Sequence, residues 1–331
     1  MNNSSELNDE RPLVTFSLFA FNQEQYIREA IEGAFSQTYQ PLEIILSDDR
    51  SSDRTFEIMQ EMAAAYQGPH RVIARQSSEN RGLLNHILDV AHESHGEYIV
   101  VAAGDDISLP ERTSIVIPYF KDREVFALSS DEVVIDEKGE VRNWDETRFA
   151  KRDSSHRSDN SWLHGATAVY RANFLKLIPS SSNKINFEDT VFSTLIRAAG
   201  GESLRLKHSL IKYRHHSNNL SERRIDRTNM KVMEENFINR WKSYLKVEVF
   251  CNQVINENPL FFYNDKNHLV RKQKIEYYSL MSNWQSLTLY SKLKLFIIAI
   301  RLGHIKVILP RIFGKKIFFL LKHIGLQAHN K

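Results

Sequence analysis

Through the first 130 residues, short apolar runs alternate with segments of helical period, and polar clusters fall where the apolar runs stop. Residues 13–19 read as a strand. Residues 24–35 place Tyr26, Ile27, Ala30, Ile31 and Ala34 on one helical stripe. Residues 42–46 form a second strand, ended by Ser47-Asp48-Asp49. Residues 53–66 form a helix with Phe56, Met59, Met62 and Ala63 inward. A short strand at 71–74, a helix at 83–92 and a β-branched strand at 98–102 follow. That last strand runs into Gly104-Asp105-Asp106. Strand and helix in alternation predict an α/β fold, a mostly parallel twisted sheet flanked by helices. Such sheets collect ligands outside the carboxyl ends of their strands. Asn22 follows the first strand, Asp48 and Asp49 the second, and Asp105 and Asp106 the fourth.

The middle of the chain is less regular. Strands are expected at 125–130, 133–136, 166–170 and 204–213, with a turn at Glu137-Lys138-Gly139. Residues 148–161 read as a mobile loop. Residues 188–199 form a helix that stops at Gly200-Gly201. From residue 228 onward the pattern is mainly helical. The predicted organisation is a disordered N-terminus at 1–10, a catalytic domain at 11–222 and a helical region at 223–331.

Four clusters can carry chemistry. Asp105 and Asp106, adjacent after a buried strand, repel one another and lose solvation; a divalent cation such as Mg²⁺ or Mn²⁺ removes both penalties, and a solvated Asp-Asp turn is the plain alternative. In Asp48-Asp49, one acid can accept from a base N–H while the other caps Ser51 and Ser52, or both can serve a turn. At Glu188-Asp189, adjacent helical residues point about 100° apart, so only one enters the site. That carboxylate can act as general base, or both acids can simply complement the helix dipole. In Tyr213-Arg214-His215-His216, one imidazole at most can complete a metal site, and Arg214 can hold phosphate. A surface His pair is the alternative.

In this order, the pieces resemble family 2 glycosyltransferases of the GT-A fold over residues 10–220. The resemblance rests on Phe19-Ala20-Phe21-Asn22, on Gln37-Thr38-Tyr39 with the Glu43 to Asp53 stretch, and on Asn80-Arg81-Gly82. Gly96-Glu97-Tyr98-Ile99, Gly104-Asp105-Asp106 and Leu109-Pro110-Glu111-Arg112 complete it. The resemblance implies an inverting, metal-dependent transferase that takes a sugar from a nucleoside-diphosphate sugar. It implies base contact by Asp49, ribose contact by Asp105, metal contact by Asp106, catalysis by Asp189 and a further metal or diphosphate contact by His216. Phe19, Asn22, Arg81, Glu188 and Arg214 are expected to line the nucleotide-sugar site. Many members carry Asp-x-Asp-Asp in the metal block, whereas Ala103 fills the first of those positions here.

The charge is uneven. Residues 277–331 hold no Asp or Glu but nine of the 44 Lys and Arg, so 35 basic residues face 41 acids in the rest. Leu289, Leu293, Phe296, Ile297, Ile300, Val307 and Ile308 recur at three- and four-residue steps between basic residues, and a second such piece spans 312–322. Apolar stripes with basic flanks describe interfacial helices, expected here over about 287–325. They predict attachment to an anionic inner membrane face and a lipid-linked (polyprenyl diphosphate) saccharide acceptor, as in O-antigen or capsule synthesis. Helices packed on the domain or on a second copy are the alternative, and a homo-oligomer stays open. The single cysteine, Cys251, allows no intrachain disulfide and fits a reducing, cytoplasmic setting. Residues 1–10 are polar and acidic, unlike a signal peptide.

Other classes fare worse. No G-x-G-x-x-G or G-K-[ST] loop is present, and no Gly follows the first strand as a nucleotidyltransferase would need. Nucleic-acid binding would rest on the basic tail alone. A non-catalytic nucleotide-sugar or glycan-binding protein of the same fold is the competing class, suggested by Ala103. Specificity is expected in loops such as 148–161 and around Trp162-Leu163-His164-Gly165.

Overall fold

The computed structural model describes residues 11–142, 163–217, 219, 230–264, 267–305 and 307–308. The expectations for residues 1–10, for the 148–161 loop, for Trp162 and for the 312–322 piece lie outside the described residues. The chain divides into two compact units, one of residues 1–224 with 254–265 and one of residues 225–253 with 266–331.

The first unit is an α/β layer structure on an eight-stranded sheet of order β3-β2-β1-β4-β7-β6-β8-β5. β1 (Val14–Ala20), β2 (Leu42–Asp48), β3 (Arg71–Gln76) and β4 (Tyr98–Ala103) pair in parallel. Every residue of β1 and β2 is buried, which is why these strands read as mostly apolar runs, with Thr15, Ser17 and Glu43 among them. Val14, Phe16, Leu18 and Ala20 face one way, against α1 (Ile27–Phe35) and α2 (Thr55–Ala65). Each such large side chain contributes about 1.5–3 kcal/mol by leaving water. Phe19 faces the other way and meets the His86 ring of α3 (Leu83–Glu93) edge-on at 4.9 Å.

The other half of the sheet is mixed. After β5 (Ile107–Ser108) come α4 (Arg112–Val116) and β6 (Val125–Ile135). β7 (Val169–Arg171) runs antiparallel to both β4 and β6, and α5 (Ala172–Leu175) follows it. Then come α6 (Glu188–Ala198) and β8 (Glu202–Arg214), which pairs in parallel with β6. The two strands expected at 125–130 and 133–136 are one strand, β6, whose register against β8 shifts around Asp131. Two steps of this topology shape the site. β1, β2 and β4 end level, with Phe19 beside Ser47 and Ala103. Immediately past β4 the chain crosses to β8, where Ile107 pairs with Lys212. Gly104, Asp105 and Asp106 are that crossing.

The second unit is helical. It contains most of α7 (Met230–Glu257), α9 (His268–Ser282) and α10 (Leu289–Arg301), while α8 (Pro259–Asn264) belongs to the first unit. Trp241, Tyr277, Met281, Leu295, Ile298, Ala299 and Ile308 form its core. The Trp241 indole stacks on Tyr278 at 5.5 Å and meets Tyr277 edge-on at the same distance. Thr288 caps α10 by accepting from Ser291 N at 3.2 Å.

Candidate active site

Backbone hydrogen bonds carry the sheet one residue beyond its strands. Asp49 N donates to Ala20 O at 2.9 Å, and Gly104 N donates to Phe19 O at 2.8 Å. The three strand ends are thereby tied into one rim. Gly104 is required there by space: a Cβ would lie 2.5 Å from Gln23 Oε1 and 2.8 Å from Ala20 Cβ.

On the β1–β2 side of this rim, Asn22 adopts a left-handed backbone (φ 54°) and staples the two strand ends together. Its N donates to Ser51 Oγ and its Oδ1 accepts from Ser52 N, both at 2.8 Å. Asp48 is spent on the turn, accepting from Ser51 N at 2.9 Å, from Ser51 Oγ and from Gln76 Nε2 at 2.8 Å. Asp49 accepts from Arg81 N at 2.7 Å and Gly82 N at 2.9 Å. It therefore holds the Asn80-Arg81-Gly82 loop, and burial pushes its pKa up despite those bonds. The Arg81 guanidinium turns to Asp89 at 3.0 Å. With Arg75, Ser77, Ser78, Asp89, His92 and Glu93 it lines an open groove of about 310 Å³ that includes none of the other expected site residues. Phe19 is buried beneath the rim, while Phe21, two residues on, is 46% exposed. Sequence reading placed the ring at Phe19. Phe21 lies past the end of β1, outside the buried strand, and that is the signal that would have favoured it.

On the β4–β8 side, the two adjacent acids separate. Asp106, expected on a metal, is only 5% exposed, and its Oδ1 accepts from Arg214 N at 2.7 Å. Its Oδ2 is buried without a hydrogen bond, and burial, then Asp105, drives its pKa well up. Asp105, expected on ribose, turns to the buried His216, with Oδ2 3.0 Å from Nε2. His215 faces away and meets Arg142 Nη1 at 3.1 Å. Arg214 was expected to hold phosphate and is instead fully buried, its guanidinium committed to four oxygens. Nε donates to Asp105 O (3.0 Å), Nη1 to Asp136 O (3.3 Å) and Glu137 O (3.1 Å), and Nη2 to Glu29 Oε2 (2.8 Å). It also lies over the Tyr26 ring at 4.9 Å, and that ring lies 4.8 Å from His216. Tyr26, read in the sequence only as a core residue of the first helix, thus backs the imidazole.

The residues on this side suit a hard divalent cation. Two neighbouring ligands of an octahedral ion with bonds of about 2.1 Å lie about 3.0 Å apart, the separation of Asp105 Oδ2 and His216 Nε2. Among the described residues no group of three or more metal-binding side chains exists. Mg²⁺-type sites use one or two carboxylates, with substrate phosphate and water completing the shell, and Asp105 is the carboxylate that meets His216 here.

At the start of α6, Glu188 is buried, and burial, then Asp189, pushes its pKa up to about 8. It is thus closed off from a donor sugar. Asp189 is half-buried, and its Oδ1 accepts from Thr190 N at 2.6 Å. Burial raises its pKa, while the Thr190 bonds and His164 lower it. Of the pair, Asp189 is the more exposed.

Comparisons with known proteins point the same way. Residues 18–178 match Glycosyl transferase family 2, a stretch that stops short of Asp189 and His216. The uncharacterized protein Rv1520 of Mycobacterium tuberculosis is 43% identical over 88 residues, 26% of this chain and 25% of that protein. The chain thus spans about a quarter of the length of this relative. An Escherichia coli protein, UDP-Glc:alpha-D-GlcNAc-diphosphoundecaprenol beta-1,3-glucosyltransferase WfaP, is 28% identical over 34% of this chain and 43% of its own length. The mannosyltransferase PcManGT from Pyrobaculum calidifontis, solved with GDP-Man and Mn²⁺, superposes with a TM-score of 0.53 at 14% identity, covering 98% of this chain and 89% of that one. That likeness establishes a shared fold.

Proposed function

The chain belongs to glycosyl transferase family 2, and on that premise we propose that it moves a sugar from a nucleoside-diphosphate sugar to a hydroxyl of a saccharide acceptor, with inversion. The observation that carries this reading is the pair Asp105–His216, 3.0 Å apart past the rim where β1, β2 and β4 end. Asp105 and His216 would hold a Mn²⁺ or Mg²⁺ ion, with Asp106 buried behind as the support that locks Arg214 N and the end of β8. When bound, the cation offsets the charge of the departing diphosphate. Phe21 and Asn22 flank the nucleotide, and Asp49 orders the Arg81-Gly82 amides beside the base. Asp189 takes the proton of the acceptor hydroxyl while its oxygen bonds to the anomeric carbon. The bond from that carbon to the diphosphate breaks.

Nucleoside-diphosphate release from a panel of UDP-, GDP- and dTDP-sugars with Mn²⁺ tests this. One nucleotide class is expected to support release, EDTA to abolish it and added Mn²⁺ to restore it. No release with any donor would favour a non-catalytic binding protein. The UDP-glucose and diphosphoundecaprenol in the name of the E. coli relative make a UDP-sugar donor and a polyprenyl-diphosphate-linked acceptor the first pair to assay.

The lipid-linked acceptor is also supported by α10, which is apolar on two faces. Leu295, Ile298 and Ala299 are buried in the helical core, while Leu289, Leu293, Ile297 and Ile300 are exposed. No helix of the described residues is long and apolar enough to cross a membrane. The exposed face, in a stretch without a single acid, docks on an anionic leaflet. The double variant Leu293→Glu/Ile297→Glu is the cleaner probe than truncation, because removing α10 would uncover Trp241 and Tyr277. It loses about 3 kcal/mol or more of apolar burial, so binding to phosphatidylglycerol vesicles should fall at least about 100-fold in flotation. Equal flotation of the variant and the parent would refute the docking.

A further inference from the structure

Between α5 and the helix that carries Asp189, residues 179–187 form neither helix nor strand. Slack usually collects in a segment of that kind. Here it is fastened through Ser181, Lys184 and Ile185 to α3 and the loop before it. Asn85 lies in the first turn of α3 and is only 4% exposed. Its carboxamide takes both backbone groups of Ser181: Nδ2 donates to Ser181 O at 2.8 Å, and Oδ1 accepts from Ser181 N at 2.7 Å. Asn is a poor helix former because its side chain competes for backbone groups. At this position the competition is turned on a different segment. Ile185 is buried, and its carbonyl accepts from Leu84 N at 3.1 Å. That N–H is one of the donors a helix start leaves without an intrahelical partner. Lys184 donates from Nζ to Asn80 Oδ1 at 2.9 Å.

These anchors lead to the nucleotide side of the rim. Asn80-Arg81-Gly82 is the loop whose Arg81 and Gly82 amides donate to Asp49, and Asn80 Nδ2 donates to Asp49 O at 3.2 Å. One path of hydrogen bonds therefore runs from the end of β2 through Asn80 to Lys184, and from there the chain enters α6 at Glu188 and Asp189. Gly82 is fitted to the crossing. Its backbone is left-handed (φ 75°), and a Cβ there would lie 3.1 Å from Lys184 Cβ. The start of α6 is held from its other side as well, since a Cβ at Gly165 would collide with the buried Glu188 carboxylate.

We propose that Lys184 and Asn85 are positioning residues for Asp189. They fasten the start of α6 to the loop that meets the nucleotide, so the general base and the donor are set against each other by one connected path. The proposal rests on the reading of Asp189 as the base. The contribution is geometric: a misplacement of about 1 Å costs on the order of 100-fold in rate, and release of one anchor among several costs a part of that. Lys184 separates this role from plain stability. Its bond to Asn80 is exposed, and exposed side-chain pairs add little to folding.

The test is steady-state kinetics of the full chain with the UDP-, GDP- or dTDP-sugar that supports nucleoside-diphosphate release. Lys184→Met is expected to lower kcat about 10-fold, with donor KM within a factor of about two and the melting temperature unchanged. Lys184→Arg keeps a donor for Asn80 and should retain most of the turnover. Asn80→Ala should lower kcat as Lys184→Met does. The double variant should lose no more than either single, because both cut the same link. Asn85→Ala strips both bonds from Ser181 and should lower kcat at least as far; if it does not fold, the Lys184 and Asn80 variants decide alone. An unchanged kcat in Lys184→Met overturns the proposal. So do single losses that multiply in the double variant, and so does a donor KM that rises while kcat holds, which would make Lys184 a direct donor contact. If Asp189→Asn is inactive while Lys184→Met matches the parent, the positioning role fails and the base reading stands. If Asp189→Asn turns over normally, both fall together.

Discussion

Asp189→Asn is expected to lower turnover by about 10²–10⁴-fold, the usual worth of a positioned general base, while nucleoside-diphosphate binding stays within a factor of about two. The argument is one of access and protonation. Asp189 sits at the first turn of α6, half-buried, with one oxygen engaged by Thr190 N at 2.6 Å. Its pKa is raised, which brings its proton affinity toward that of a useful base. The pH profile follows with a definite sign. The ionised form is the active one, so turnover is present above the raised pKa and is lost as pH falls through it. The neighbour should behave in the opposite way. Glu188 is protonated below about pH 8, so Glu188→Gln mimics the form already present and should retain most turnover at pH 7. Its raised pKa means Glu188 stabilises the fold most at low pH and loses that contribution as pH rises through about 8. Glu188→Gln should therefore flatten the loss of stability from the ordinary carboxylate range up to about pH 8 in a thermal-melt series. Equal loss of turnover in the two variants would remove Asp189 from its role.

Arg214→Met is expected to destabilise the fold by about 3–5 kcal/mol, because it orphans buried carbonyls and breaks a charged pair in one step. Three carbonyls, of Asp105, Asp136 and Glu137, lose a donor, and Glu29 loses its partner. For a domain of this size that is a drop of roughly 10 °C in Tm, measurable by calorimetry. The same variant should need a higher Mn²⁺ concentration, since Arg214 braces both the Asp105 backbone and the Tyr26 ring behind His216. A phosphate-binding arginine would behave otherwise, raising donor KM with an unchanged melt. That outcome would return Arg214 to the role its strand-end position suggested.

The contrast between these two residues shows where sequence reading reaches and where it stops. Strand and helix alternation was legible because burial on both faces demands mostly apolar runs such as VTFSLFA and YIVVAA, and that demand is local. The placement of acids after β2 and β4 followed from the same pattern. The mixed half of the sheet was harder to see. β6 is irregular and polar around Asp131, so its period breaks where its register shifts, and one strand read as two. Which ring of Phe19 and Phe21 faces outward depends on where β1 stops pairing. That stop is set by Asp49 and Gly104 on neighbouring strands.

By itself the sequence determined the α/β architecture and the identities of the acids at the strand ends, because periodicity and turn chemistry act over a few residues. Tertiary structure alone decided what each acid meets. Asp106 accepts a backbone N–H from a residue 108 positions away, and Asp105 meets an imidazole 111 positions away. Burial and charge pairing between such distant partners set the protonation and reach of a carboxylate, and no local pattern encodes them.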